Sequence, residues 1–173
     1  MLKFKNIFIC FLLFFSAGFA FGNVYNNPAK LETISKQLPE FGSIKCKFKQ
    51  EKHLKNISKP VISSGDFEFI KNKGVYFYIK YPIESTVNYT DKNYHQVNDI
   101  INAISSKKYS KIEKEFNLYF INNKDEWFIG MKPKKDSAVY TYITSITING
   151  KDYIRQIKIS QTNGNETVIW FTK

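Results

Sequence analysis

The sequence predicts an α+β domain that is mostly β: one large curved antiparallel sheet whose concave apolar face is covered by a few short amphipathic helices. Three observations lead there. Gly65 to Pro82 reads as an aromatic hairpin, with strands Asp66 to Ile70 and Val75 to Tyr81 around the turn Lys71-Asn72-Lys73-Gly74. Phe116 to Thr172 is a run of short alternating segments separated by turn residues. Helical periodicity is confined to two places, Leu31 to Leu38 and Asp99 to Glu115.

In chain order, residues 1–22 read as a cleaved signal peptide: Lys3 and Lys5, the apolar run Ile7 to Phe15, then small residues placing cleavage after Ala20 or Gly22. The expected destination is the periplasm, with residues 23–173 as one domain. Cys10 leaves with the signal, so Cys46 is the only remaining thiol and no intramolecular disulfide can form. The fold must hold by its core.

Asn27-Pro28 is expected to begin a short helix with Leu31, Ile34 and Leu38 on one face, ended by Pro39. Ser43 to Leu54 is a strand: Ile44, Cys46 and Phe48 point one way, and Lys45, Lys47 and Lys49 form a wet, basic face on the other. Asn56 to Pro60 is a loop leading into the hairpin, where Phe67 and Phe69 alternate with Asp66 and Glu68, and Val75, Phe77 and Ile79 with Tyr76 and Tyr78. Glu84 to Thr90, with Val87 and Tyr89 on one face, turns at Asp91-Lys92-Asn93 into Tyr94 to Val97. One or two helices then span Asp99 to Glu115, presenting Ile101, Ile104, Tyr109 and Ile112. Five strands follow: Phe116 to Phe120, Trp127 to Met131, and, after a polar crossover at 134–138, Tyr140 to Asn149, Tyr153 to Gln161 and Glu166 to Thr172.

Charge narrows the function. The precursor carries +11, and without Lys3 and Lys5 the 24 basic residues against 15 acidic leave +9. Arg155 is the only arginine, whereas readers of nucleic acid lean on guanidinium forks. Nucleic acid is therefore not an expected partner, and the lysine-bearing surface suggests a monomer. No catalytic constellation stands out. His53 and His95 lack ligand spacing to each other or to Cys46, Cys46 alternates with core residues, and Asp66 and Glu68 are the wet face of a strand. Neither an enzyme nor a cofactor or metal is expected.

The motifs resemble a family. Phe48-Lys49-Gln50, Ser63 to Phe69 (SSGDFEF), Phe77 ahead of Tyr81-Pro82, the Trp127 strand ending Met131-Lys132-Pro133, and the closing strand pairs are similar in order and spacing to the LolA-type outer-membrane lipoprotein carriers, over Leu31 to Lys173. Lys52-His53-Leu54 and Ser58-Lys59-Pro60 resemble a divergent, shorter branch. The resemblance implies an incomplete, half-open β-barrel with a helical lid over an apolar cavity. It implies acylated lipoproteins as cargo, an inner-membrane exporter and an outer-membrane acceptor as partners, and no cofactor.

Carried residue by residue, it places the acyl-chain cavity at Ile44, Phe48, Phe67, Phe69, Val75, Phe77, Ile79, Val87, Trp127 and Ile129, and puts Lys71 where the family's lid-contacting arginine stands. Two departures matter. Lysine lacks the planar fork of a multi-point latch, and the chain stops at Lys173 where typical members continue, which favours a dedicated cargo such as a glycolipid. An acyl chain of about fifteen methylenes carries on the order of 12 kcal/mol of transfer free energy, so the cargo site must be an apolar concavity. The rival expectation is a periplasmic interaction or sensor module with the same sheet over a filled core. A connected apolar void beneath the helices would mark a carrier, and Phe77→Glu should then abolish cargo binding with the sheet still folded.

Overall fold

The computed structural model describes residues 23–70, 74–88, 100–101, 104 and 110–173. The expected signal peptide, the turn residues Lys71 to Lys73, the second half of the Glu84 strand with its return through His95, and Tyr109 lie outside the described residues.

Nine antiparallel strands are described: β1 (Ile44–His53), β2 (Val61–Ile70), β3 (Gly74–Tyr81), β4 (Ser85–Asn88), β5 (Phe116–Asn122), β6 (Trp127–Pro133), β7 (Ile143–Gly150), β8 (Ile154–Gln161) and β9 (Glu166–Thr172). They form one sheet in the order β4-β3-β2-β1-β9-β8-β7-β6-β5. Two meanders, β1 to β4 and β5 to β9, are thus joined where the first strand pairs with the last, Lys47 to His53 against Thr172 to Glu166. The sheet does not close, because β4 and β5 are its two edges. Of the chain between those strands, Ile100, Ile101, Ile104 and Ile112 join the buried core.

The register puts every expected apolar position on one face. Phe67 lies opposite Cys46 and Phe77, Phe69 opposite Ile44 and Val75, Phe77 opposite Val87, and Phe48 opposite Phe171. The same parity runs through Ile169, Ile157, Ile148, Ile129 and Phe120 on the other half. One contiguous cluster of buried side chains results, all on the concave side. Its curvature is helped where β2 shifts register between Ser64 and Gly65, because a β-carbon at Gly65 would overlap the Tyr78 carbonyl of β3.

Helix α1 (Leu31–Gln37) and helix α2 (Ser110–Glu115) lie on that face. Between them in sequence, Ile100, Ile101 and Ile104 are also helical and no more than 3% exposed. Ile34, Leu38, Phe41 and Ile112 complete the covering layer.

Three expectations need correction. The first helix begins at Leu31, not at Asn27. Pro28 has no N–H to give and holds its predecessor extended, so Asn27 to Ala29 run along the open edge of β5 instead. There the Ala29 N–H donates to the Leu118 carbonyl (2.9 Å) and the Phe120 N–H to the Asn27 carbonyl (3.0 Å). The strand expected from Tyr140 begins at Ile143, because Ser137 and Val139 accept turn hydrogen bonds from Tyr140, Tyr142 and Ile143. Alternating tyrosines in a turn look like a strand.

The third correction concerns the basic face of β1, whose charge is offset by the neighbouring strands. Lys45 meets Glu68 at 3.0 Å, Lys47 and Lys80 both meet Asp66 at 2.5 and 2.6 Å, and Lys49 meets Glu51 at 2.7 Å. Directly opposed strand positions of opposite sign pair naturally.

Candidate functional site

The floor of the concavity is aromatic in its β1–β2–β3–β9 half. Phe77 packs edge-on to Phe48 (4.8 Å between ring centres) and to Phe67 (4.9 Å), and Phe67 lies 4.6 Å from Phe171. All ten expected cavity residues lie on this face, but their surroundings differ. Ile44, Phe67 and Phe69 line an apolar cleft together with Phe41, Cys46, Ile101, Tyr153, Ile154 and Phe171. Its free space is about 320 Å³, part of it open to solvent. Ile129 lines a second, smaller space with Ile34, Ile104, Ile112, Leu118 and Met131. The two spaces share no lining residue. Phe48, Val75, Phe77 and Trp127 are packed, while Ile79 and Val87 are half-buried beside them.

The concavity is therefore filled by its own cover. Among the described residues no connected void is open, because seven lid side chains occupy the space above the floor: Ile34, Leu38, Phe41, Ile100, Ile101, Ile104 and Ile112. Phe77 is 2% exposed with aromatic rings against it. A carboxylate there would have no water, so Phe77→Glu should unfold the sheet instead of sparing it.

The cleft is built by both halves of the sheet. Ile44 and Cys46 come from the start of β1, Phe67 and Phe69 from the end of β2, Ile154 from the start of β8 and Phe171 from the end of β9. Phe41 and Ile101 form its roof, and Phe41 is held edge-on to Trp127 at 5.9 Å. The Trp127 indole is pinned in turn by donating to the Lys151 carbonyl at 2.7 Å. Burial pushes the Cys46 thiol up to about 11, against a weak opposing pull from Lys173, so it stays protonated and apolar in character. At the mouth, the Lys173 ammonium sits 4.9 Å from the centre of the Tyr153 ring. Its walls are apolar and offer a thiol and a phenol and no carboxylate.

Elsewhere His53 lies 3.2 Å from Glu51, and no cluster among the described residues could hold a metal ion. Lys71, the expected lid contact, is outside the described residues.

The family model of the outer membrane lipoprotein carrier protein LolA matches residues 40–173, every described strand included. The chain belongs to the LolA family. No curated protein matches it significantly. LolA proteins are carriers and not enzymes, and the half-open sheet with a helical lid is the architecture the sequence led us to expect.

Phe41, Cys46, Ile101, Tyr153, Ile154 and Phe171 were not among the expected site residues. Phe41 sits in the aperiodic segment Pro39-Glu40-Phe41-Gly42, where no pattern assigns a face. Tyr153, Ile154 and Phe171 carry strand parity, but only the β1–β9 pairing brings their end of the sheet beside Ile44 and Phe69.

Proposed function

We propose that the protein is a periplasmic carrier that shields the acyl chains of lipoproteins on their way from the inner to the outer membrane. The observation that carries this reading is the apolar cleft between Phe41 and Ile101 of the lid and the floor of β1, β2, β8 and β9, in a LolA-family chain. The exporter that loads it and the acceptor that unloads it are partners proposed from the family.

Energetics support exchange of lid for cargo. Burying seven large aliphatic or aromatic side chains is worth about 10 to 20 kcal/mol at roughly 1.5 to 3 each. A sixteen-carbon chain gains on the order of 12 kcal/mol. The terms are of the same size, so an acyl chain can replace lid contacts on the floor without a large net cost, and the lid can close again once the cargo leaves. The covering side chains come from connections and short helices, while the floor is a continuous hydrogen-bonded ladder. Opening falls on the less tied layer.

Titration with a fluorescent fatty acid tests this. The protein should bind it saturably, and Ile44→Trp, which fills a half-exposed wall of the cleft, should weaken binding at least about tenfold with unchanged thermal unfolding. Failure of the parent protein to take up the probe would contradict the carrier reading and favour the interaction module.

A further inference from the structure

Six of the seven large hydrophobic side chains exposed among the described residues lie at one end of the sheet: Ile57, Val61, Tyr81, Ile83, Tyr140 and Tyr142, between 46% and 77% exposed. That end is formed by the β1–β2 loop, the β3–β4 turn, the β6–β7 crossover and the β8–β9 turn. It is opposite the cleft, which is lined by the other ends of β1, β2, β8 and β9.

Hydrogen bonds tie three of these connections together, the β1–β2 loop, the β6–β7 crossover and the β8–β9 turn. The Thr162 N–H donates to the Tyr142 carbonyl at 3.1 Å, and its hydroxyl to the Thr141 carbonyl at 2.8 Å. On the other side of the β8–β9 turn, the Lys55 N–H donates to Asn165 Oδ1 at 2.9 Å. The apolar tips on those three connections are thus held in fixed relation without being covered.

Lysines stand between them. Lys52, Lys55, Lys59 and Lys135 are exposed and have no carboxylate within ion-pair distance among the described residues. Lys134 reaches only the Glu113 carbonyl. Glu51 and Glu166 at this end are already matched by Lys49 and Lys158, which leaves Glu84, Asp136, Glu113 and Glu115 against those five and the exposed Lys114, a surplus of two positive charges. On the β1–β2–β3 face, by contrast, Lys45, Lys47, Lys49 and Lys80 are all paired.

We infer that this rim docks on an anionic lipid surface. Apolar side chains dispersed over three connections and the strand ends beside them can each enter the interfacial region of a bilayer, and three of the six are tyrosines, whose phenols suit that boundary. The lysines between them would lie at the depth of the phosphates, with their stems along the apolar layer. A protein interface would favour a gathered apolar centre and deplete lysine, which is not the pattern here. With few groups on each side, docking is weak and reversible. It also leaves the cleft pointing away from the bilayer, free for transfer, and does not depend on what the cleft carries.

Vesicle flotation of the purified protein tests the inference, with phosphatidylcholine vesicles compared to vesicles that also contain phosphatidylglycerol. Binding is expected only to the anionic vesicles and should fade with added salt. Lys55→Gln with Lys59→Gln should weaken it about 10- to 30-fold, and Ile83→Ser with Tyr142→Ser should weaken it at least about tenfold. Both pairs should keep parental thermal unfolding and fatty-acid uptake, since the substituted side chains are exposed and far from the cleft. Absence of flotation, or flotation that neither pair alters, would overturn the inference and leave the rim to a protein partner.

Discussion

Phe77 illustrates how a single residue can be placed correctly and still be misjudged. Strand alternation put it on the concave face, where it lies, but its 2% exposure and its ring contacts with Phe48 and Phe67 make it part of the packed floor. Phe77→Ala should cost about 3 to 5 kcal/mol in chemical denaturation, and Phe77→Glu should prevent folding, read as lost circular dichroism. Gly65 is a second such point. Gly65→Ala would force a methyl onto the Tyr78 carbonyl and should destabilise by about 1 to 3 kcal/mol or more, since backbone must move. Cys46 offers a chemical probe of the cleft. With its thiol raised from 9.0 to about 11, the thiolate fraction near pH 8 falls about 100-fold, and reaction with a disulfide reagent should slow accordingly. A bound acyl chain should slow it further, because Cys46 lines the space the chain would enter.

Among the elements, the strands were the most legible and the lid the least. Each strand carries a period-2 pattern with turn chemistry at its ends, and parity assigns the face on which each aromatic lies. The start of α1 was misplaced because Pro28 is compatible both with a first helical turn and with an extended edge. Tyr140 and Tyr142 alternate inside a turn whose hydrogen bonds leave no residue-type signature. The lid itself makes an opposite-sign test possible. Ile34→Ala and Ile104→Ala, both against the floor and 1% exposed, should each lower stability by about 2 to 4 kcal/mol. They should nevertheless raise affinity for a fluorescent fatty acid, since they weaken the contacts cargo must displace. A filled core that never opens would show the loss of stability without the gain in affinity.

The outer face of the β1–β2–β3 ladder has its own pH dependence. Hydrogen bonds from Lys47 and then Lys80 hold the Asp66 carboxyl down at about 2, from an ordinary 3.8. A carboxyl lowered on folding contributes stability that is present above its unfolded pKa and lost as pH falls through the folded value. Melting temperature should therefore decline between about pH 4 and about pH 2, and Asp66→Asn should flatten that part of the profile. The carboxyl is solvent-screened, so the decline is small.

At the scale of the whole molecule, the pairing of the first strand with the last decides the architecture. It joins two meanders into a single trough whose outer described strands are β4 and β5. Ile100, Ile101, Ile104 and Ile112, from the chain between those two strands, are buried in its core. No local pattern in the sequence encodes the β1–β9 pairing; parity alone would allow a closed barrel, a sandwich or this open sheet, and the family motifs were what selected among them. The same long-range pairing builds the cleft, which explains why Tyr153, Ile154 and Phe171 were missed from its lining. The trough with its lid gives a molecule with two apolar features at opposite ends, an enclosed one suited to a chain and an exposed one suited to a surface.

The most direct test of the carrier account is native mass spectrometry of the protein purified from cells without detergent, followed by lipid extraction of whatever accompanies it. The account predicts an added mass that extraction identifies as an acylated molecule and that Ile44→Trp diminishes. A bare polypeptide mass, together with no uptake of added fatty acid, would contradict it.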